Sequence, residues 1–268
     1  MMQTIQIRNK PIIERVKPVF ARHETFHPRY GWLKKAVDHI DRDPELFTRP
    51  NAPVILGVGK NMVSAIRYWA QAFKLVEELS NHGKNRMYQV TGLGSQLLKD
   101  TGWDPYLEDL NSLWLLHWNL LRPTCTATTW YYLFNQYPLI HFSLEDAVAQ
   151  LNHYKEKAFP SVSTVLSSLK KDLHTFIRMY AASDSPKKTV PEESIDSPFQ
   201  DLNLVQHVRG SYYQFNVGAK ASLSPFIIGY ACADFASFYT QGYTVAISSL
   251  LYEKGSPGLV FKLSESSL

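Results

Sequence analysis

The chain has 268 residues, of which 45% are hydrophobic and 19% are charged. This composition excludes an intrinsically disordered chain and provides enough apolar surface for one or two globular domains. The longest apolar runs, at 113–121 and 226–239, are too short to cross a bilayer, and residues 1–20 lack the apolar core of a signal peptide. We therefore expect no membrane segment. The two cysteines, Cys125 and Cys232, match no metal or disulfide spacing, and we expect a cytoplasmic location.

Basic residues are concentrated in the first part of the chain. Residues 1–99 contain 16 Lys and Arg against 8 Asp and Glu, whereas residues 100–268 contain 12 against 16. The net charge of +4 is therefore the balance of a part at +8 and a part at −4. A basic first third suggests an anionic partner for that part, with ordinary charge scatter as the alternative.

Hydrophobic periodicity and turn-forming residues predict mostly helices. After a loop over 9–28, the expected helices are those over 29–41, 60–79, 105–121, 128–137, 161–181 and 225–239, the last of them buried, with a further helix starting at Ser143. The expected strands are those over 87–91, 211–217 and 258–263. Residues 183–200, rich in Ser, Pro and charge, predict a flexible linker. Residues 264–266 resemble the start of another helix, which leaves open whether the protein continues.

The order of these elements predicts a mainly α-helical fold with two domains. Residues 1–100 are expected to form a winged helix-turn-helix domain with an N-terminal polar loop, because a glycine turn and a long helix are followed by a strand and another helix. Residues 101–268 would form a helix-rich domain. A second winged helix is an alternative for that part.

The helix over 60–79 has an apolar and a cationic face. Met62, Ile66, Trp69 and Phe73 define the apolar face. The opposite stripe has the spacing of one helix face and consists of Lys60, Ser64, Arg67, Gln71 and Lys74. We expect this stripe and Asn61 to bind DNA, with Arg67 and Gln71 at base edges and the lysines at phosphates. Lys84 and Arg86 would add contacts from the wing. A basic face that is only solvated, or a winged helix used for protein contacts, is the alternative.

The helix over 161–181 repeats this pattern more weakly. Its polar side carries Thr164, Ser168, Lys171, His174 and Arg178. A second DNA-reading helix and a plain surface helix are both consistent with the pattern.

The densest group of titratable residues precedes the first helix. We expect His23, Glu24 and His27 to form a catalytic group that binds a divalent ion or moves protons during phosphodiester cleavage. Arg22 and Arg29 could hold a phosphate, and carboxylates at Asp38 and Asp41 could add ligands. The alternative is a structural hydrogen-bond network that holds a long loop over the aromatic pair Tyr30 and Trp32.

Three segments resemble a known bacterial family. They are Phe-Ala-Arg-His-Glu-Thr-Phe-His-Pro-Arg-Tyr-Gly-Trp-Leu at 20–33, Leu-Gly-Val-Gly-Lys-Asn-Met-Val-Ser-Ala-Ile-Arg-Tyr-Trp at 56–69, and Ser-Pro-Gly-Leu-Val-Phe-Lys-Leu at 256–263. Together they are similar to the family that includes SspB, which is encoded beside DNA phosphorothioation genes. The resemblance extends over nearly the whole chain.

The resemblance implies a DNA-binding subunit of an antiphage DNA phosphorothioation system that nicks DNA for sulfur incorporation. It implies a divalent metal, Mg²⁺ or Mn²⁺, and partners that include a cysteine desulfurase, an ATPase and a sulfurtransferase. It assigns no catalytic residue, and a homodimer is one option for the assembly. Two other functions stay open: a non-enzymatic winged-helix regulator of transcription, and a scaffold for the modification enzymes.

Overall fold

The computed structural model describes residues 16–79, 86–182, 197–240 and 244–268. It is mostly helical, with two small antiparallel sheets. The helices are α1 (Trp32–Arg42), α2 (Ala52–Leu56), α3 (Lys60–Ala72), α4 (Gly92–Leu98), α5 (Leu110–Leu121), α6 (Thr128–Asn135), α7 (Leu144–Ala158), α8 (Leu166–Tyr180), α9 (Pro225–Tyr239), α10 (Ile247–Tyr252) and α11 (Pro257–Phe261). The strands are β1 (Val76–Leu79), β2 (Met87–Val90), β3 (His141–Ser143), β4 (Val205–Arg209) and β5 (Tyr212–Phe215).

The first group of elements is a helix–turn–helix followed by a hairpin. Gly57 ends α2 with a φ of 64°, a left-handed conformation that glycine adopts without steric cost, and α3 starts three residues later. Strands β1 and β2 pair antiparallel, with Val76 opposite Val90. Thr91 then caps α4, because its hydroxyl accepts a hydrogen bond from the Gly94 amide at 3.0 Å.

The prediction of a helix over 60–79 is wrong at the C-terminal end. Helix α3 ends at Ala72, and Lys74 has a φ of 60°, which interrupts the helical path. Residues 76–79 pair with β2 instead. A β-branched Val76 is compatible with both structures, so the local sequence does not choose between them.

Aromatic side chains are the largest groups in the core. The largest fully buried ones are Trp69, Phe73, Tyr88, Trp114, Trp118, Trp130, Phe134, Phe176, Tyr180, Phe199, Phe235 and Phe261. The rings of Phe73 and Phe199 stack in parallel, with centroids 5.0 Å apart and an interplanar angle of 2°. This contact joins α3 to residues near the end of the chain segment predicted as a linker. The domain boundary near residue 100 stays a prediction.

Two other expectations are wrong in part, and a third falls mostly on residues that the structure does not describe. Residues 258–263, expected as a strand, belong mostly to α11, which starts with Pro257 and a Ser256 cap. Helix α9 exists as expected but is not buried, since only Ala231, Phe235 and Phe238 are inaccessible and Phe226 is 86% exposed. Most of the expected linker lies outside the described residues. Its last part is a buried 3₁₀ turn, Pro198–Leu202.

Other expectations about local structure are confirmed. Ser143 starts α7 as its N-cap, since its hydroxyl accepts from the Asp146 amide at 3.1 Å. Strand β5 lies within the strand expected over 211–217 and is the central strand of the sheet, between β3 and β4. Among the helices in the described ranges, none has both the length and the apolar character needed to cross a membrane.

Candidate nucleic-acid interface

The N-terminal loop, residues 16–31, is fixed to the helical core at several points. The Val19 amide donates to the Thr128 hydroxyl at 2.9 Å, and the Trp69 indole donates to the Phe26 carbonyl at 2.9 Å. Glu24 and Thr25 have φ values of 50° and 66°, which L-residues rarely adopt unless the surroundings hold them. The loop is therefore held in one irregular conformation by contacts from distant elements.

Asp172 of α8 is the main anchor of this loop. Asp172 is 1% exposed. Its carboxylate accepts hydrogen bonds from the Ala21 amide at 2.8 Å and from the Thr129 hydroxyl at 2.7 Å. The His23 imidazole Nε2 lies 2.7 Å from the same carboxylate, and its Nδ1 accepts from the Thr25 amide at 3.1 Å. Since Nδ1 accepts, Nε2 carries the proton and donates to Asp172.

The structure places His23, one of the expected catalytic residues, in the interior of the protein. His23 is 1% exposed, and its ring lies against Tyr68, Trp69 and Trp130. A group that exchanges protons with a substrate must come within hydrogen-bond reach of it. The placement of His23 instead matches the alternative of a structural hydrogen-bond network.

A cationic pocket lies between the N-terminal loop and α8. Its volume is about 420 Å³, and its lining consists of Thr25, Phe26, His27, Arg29, Lys171, His174 and Arg178. The Arg178 guanidinium donates to the Thr25 carbonyl at 2.9 Å, which links the two walls. The Arg29 guanidinium lies over the rings of Phe26 and Trp32, 5.4 and 5.1 Å from their centroids. Among the described residues that line this pocket, none is acidic.

The pocket combines two groups that are far apart in the sequence. His27 and Arg29 belong to the predicted polar loop, whereas Lys171, His174 and Arg178 form part of the polar side of the helix expected over 161–181. The sequence presented them as separate candidates. The spacing of three and four along α8 indicated that its three basic residues share a face, but no local signal indicated that the loop covers that face.

The other residues expected to act in catalysis or phosphate binding are divided between two pockets. Glu24 and Arg22 line a second pocket of about 430 Å³, together with residues 162–165 and Ser168. His27 lines the cationic pocket, so the expected group of His23, Glu24 and His27 is divided among three environments.

The described residues show no cluster of metal ligands. In the parts of the chain that the structure describes, no three His, Cys, Asp or Glu side chains are grouped as a metal ion requires. Asp38 pairs with Lys34 at 2.7 Å, and Asp41 pairs with Lys99 at 2.7 Å, so both expected carboxylate ligands have cationic partners.

The polar stripe that starts on α3 is exposed to solvent at its N-terminal end, whereas the ammonium of Lys74, at its C-terminal end, is buried. Lys60 and Asn61 are exposed, and Ser64, Arg67 and Gln71 are half-buried. Lys74 departs from the expected phosphate contact, because its ammonium donates to the carbonyls of Asn119 and Arg122, the latter at 3.1 Å. Burial lowers the pKa of Lys74 to about 8. Its charge is therefore used to hold the end of α5.

Arg86, which was expected to contact DNA from the wing, lies beside a carboxylate on the hairpin. The Arg86 guanidinium lies 3.5 Å from the Glu78 carboxylate on the neighbouring strand, and Arg86 remains exposed. An exposed pair of this kind is weak and leaves the guanidinium accessible. Lys84 lies outside the described residues.

Asp172 is the functional residue that the sequence analysis missed. It lies on the buried side of α8 between Leu169 and Phe176. A carboxylate among apolar positions of an amphipathic helix is a recognisable signal, since buried charges need fixed partners. The partners themselves are 43 to 151 residues away in the sequence, so they were not identifiable from the pattern.

Comparisons with known proteins agree with this fold. A family model described as a protein of unknown function, DUF4007, matches residues 20–268. The crystal structure of magnesium ion-bound SspB has a TM-score of 0.88 and 37% sequence identity, covering 96% of this chain and 77% of that chain. A second SspB crystal structure has a TM-score of 0.88 and 38% identity, covering 95% of this chain and 76% of that chain. No curated protein sequence matches. The chain therefore belongs to the DUF4007 family, and it is a member of the SspB-like family that the three sequence segments indicated.

Proposed function

We propose that this protein is the DNA-binding subunit of a DNA phosphorothioation system and that its cationic pocket binds a DNA phosphate. The observation that carries this proposal is the convergence of Arg29, Lys171 and Arg178 with two histidines on one pocket. Arginine and lysine side chains are among the groups that contact DNA phosphates. The described residues of the lining include no acidic side chain, which favours an anionic ligand.

The pocket is also suited to hold its cations in place before a ligand arrives. His27 and Arg29 are 4% and 6% exposed, and the Arg29 guanidinium is packed on two aromatic rings. The loop that carries them is anchored by Asp172. A preorganised site loses little side-chain entropy on binding, which favours affinity.

A second contact to DNA is proposed at α3. The order of α1, α2, α3, the β1–β2 hairpin and α4 resembles that of a winged helix, in which the third helix enters the major groove. The exposed or half-buried residues Lys60, Asn61, Ser64, Arg67 and Gln71 would then face the duplex. Arg22, Arg86 and Lys84 would supply flanking phosphate contacts. Lys74 is not included, because its ammonium is bonded to backbone carbonyls.

We further propose that the protein nicks DNA, with support from its membership in the family of SspB. Magnesium is bound in one solved SspB structure, but the described residues here offer no metal cluster, so we assign no residue to a metal step. Conversion of supercoiled plasmid to open circle by the purified protein, with and without Mg²⁺ or Mn²⁺, tests this activity. Tight DNA binding without nicking would favour a regulator, and weak salt-independent binding would favour a scaffold.

The partners and the cellular location that we propose come from the resemblance to the same family. Partners would be the desulfurase, ATPase and sulfurtransferase of the modification pathway, and a homodimer remains a proposal that sedimentation can test. Cys125 and Cys232 are free thiols. Unpaired cysteines are compatible with the reducing cytoplasm, where we propose that the protein acts.

Removing one cation from the rim of the pocket should weaken DNA binding measurably. A plot of the logarithm of the DNA-binding constant against the logarithm of the salt concentration has a negative slope. On an intact duplex, Lys171→Ala is expected to reduce the magnitude of that slope by about 1, as for the loss of one phosphate contact. Lys170→Ala is the matched control, since Lys170 is also exposed on α8 but does not line the pocket. Fluorescence anisotropy over a range of salt concentrations measures both. Equal slopes for the two variants would remove the pocket from the interface.

A substitution on α3 tests the second contact. Arg67→Ala is expected to cost about 1–3 kcal/mol in DNA-binding free energy if the guanidinium reads a base. Arg209→Ala, at an exposed arginine of β4, is the control and should leave affinity unchanged. If Arg67→Ala binds as tightly as Arg209→Ala, the proposed winged-helix contact is wrong, whereas the pocket is tested independently by Lys171.

A further inference from the structure

The lining of the cationic pocket includes more than one positive charge apart from Arg29. Lys171 and Arg178 are both cationic, and Arg29, His27 and His174 share the lining. An internal phosphodiester has one negative charge, whereas a phosphate monoester has about −1.5 to −2 at pH 7. Since the Coulomb energy is proportional to the charge of the ligand, a monoester gains more from this site.

The shape of the pocket favours a group that enters from one side. His27 and Arg29 are nearly inaccessible and form its floor, while Lys171 and His174 are exposed at its rim. The N-terminal loop forms one wall and α8 the other, joined by the bond from Arg178 to the Thr25 carbonyl. A terminal phosphate, linked to its strand through a single ester oxygen, can approach the floor. An internal phosphate is held back by the strand on both sides.

A second pocket follows the first along the same two elements. The cationic pocket uses residues 25–29 of the loop and 171–178 of α8, and the second pocket uses residues 18–24 and 162–168. Its volume of about 430 Å³ lies within the range of small-molecule sites. Hydroxyl groups of Ser163, Thr164 and Ser168 and the charged side chains of Arg22 and Glu24 are present there to bond a sugar and a base edge.

We propose that the cationic pocket binds the terminal phosphate monoester of a DNA strand, at a nick or an end, and that the adjacent pocket holds the terminal nucleoside. This inference rests on the proposed DNA-binding function and specifies which phosphate the pocket prefers. It gives the protein a means of remaining on a strand end. The 5′- and 3′-phosphate share this chemistry, and the experiment distinguishes them.

The test uses four fluorescent duplexes of one sequence and the full chain, in EDTA. One duplex is intact, and three carry a central nick with a 5′-phosphate, a 3′-phosphate or hydroxyls only. We expect one phosphate-bearing nick to bind at least about tenfold more tightly than the hydroxyl nick, the effect of one additional charge-assisted contact. Lys171→Ala should remove most of that preference, and Lys170→Ala should keep it.

The possible outcomes separate the two proposals. Equal affinity for all nicked duplexes, or a preference that is as strong in Lys171→Ala as in Lys170→Ala, overturns the assignment of a terminal phosphate to this pocket. If the intact duplex still binds with a salt slope that Lys171→Ala reduces, the general DNA-binding function stands without it. If no duplex binds, the proposed function fails as well. A preference for one phosphate position identifies the strand end that is bound.

Discussion

Replacing Asp172 by alanine is expected to destabilise the fold by about 3–5 kcal/mol, the usual cost of removing one partner from a buried charged network. The Ala21 amide, the His23 imidazole and the Thr129 hydroxyl all donate to this carboxylate. Without it, three donors lie in the interior with no acceptor, and each retains its desolvation cost. Urea unfolding, with the midpoint compared at constant m-value, measures the loss.

Two further variants make the Asp172 experiment specific. Asp172→Asn keeps an acceptor for the loop and a side-chain amide toward Thr129, so it should cost less than alanine. Asp201→Ala removes an exposed carboxylate that accepts from the Tyr30 hydroxyl at 3.2 Å, and it should change stability by no more than about 0.5 kcal/mol. If Asp172→Ala unfolds at the same urea concentration as Asp201→Ala, Asp172 does not anchor the loop. Because the loop carries His27 and Arg29, Asp172→Ala should also weaken DNA binding.

The second large effect is a loss of folding stability at acidic pH, for which we expect His117 to be responsible. Burial lowers the pKa of this imidazole to about 4 from its ordinary 6.5, against a smaller opposing effect of its bond to the Val260 carbonyl. Its Nε2 donates to that carbonyl at 2.9 Å, so Nδ1 accepts from the Tyr180 hydroxyl at 2.8 Å. The neutral ring is therefore satisfied, and a proton must enter a buried, aromatic environment.

Stability should accordingly fall as the pH falls from 6.5 to 4. In this window the unfolded chain binds a proton at His117 and the folded protein does not, so protonation favours unfolding, by about 3 kcal/mol over the whole window. Urea unfolding at several pH values measures the slope for the wild type and for His117→Gln. His153→Asn, at an exposed histidine of α7, is the control.

The comparison of slopes decides the result. The contribution of the ionisable groups that all three proteins share is the same in each and cancels in the comparison. His117→Gln should lose about one proton's dependence on pH, whatever its overall stability. The His153→Asn slope should equal that of the wild type. A His117→Gln slope equal to the wild-type slope would show that His117 is not the group responsible.

Local sequence signals predicted the starts of α3, α6, α7 and α9 but not the end of α3. The cap at Ser143 and the glycine turn at Gly57 were recognisable because a cap or a left-handed turn depends on a few adjacent residues. The end of α3 depends instead on the pairing of Val76 with Val90, which lies across the hairpin. Residues 258–263 were expected as a strand, whereas Ser256 caps a helix whose first residue is Pro257, a position that proline favours.

Burial was less predictable than secondary structure. Helix α9 is strongly apolar, yet Phe226 and Tyr230 remain exposed. Conversely, Lys74 belongs to a polar stripe but has its ammonium inside the protein. A period of 3.6 residues identifies the faces of a helix, whereas the element that covers each face depends on packing elsewhere in the chain.

The sequence by itself determined the helical class, the basic N-terminal third, the two stripes of basic residues and the family. It did so because helix periodicity, caps and short motifs are local properties of the chain. Only the tertiary structure decided that His23 is a buried partner of Asp172, and that His27 and Arg29 share a pocket with Lys171. The loop and α8 are about 150 residues apart, and their contact is created by packing in the core, which no local pattern of side chains encodes.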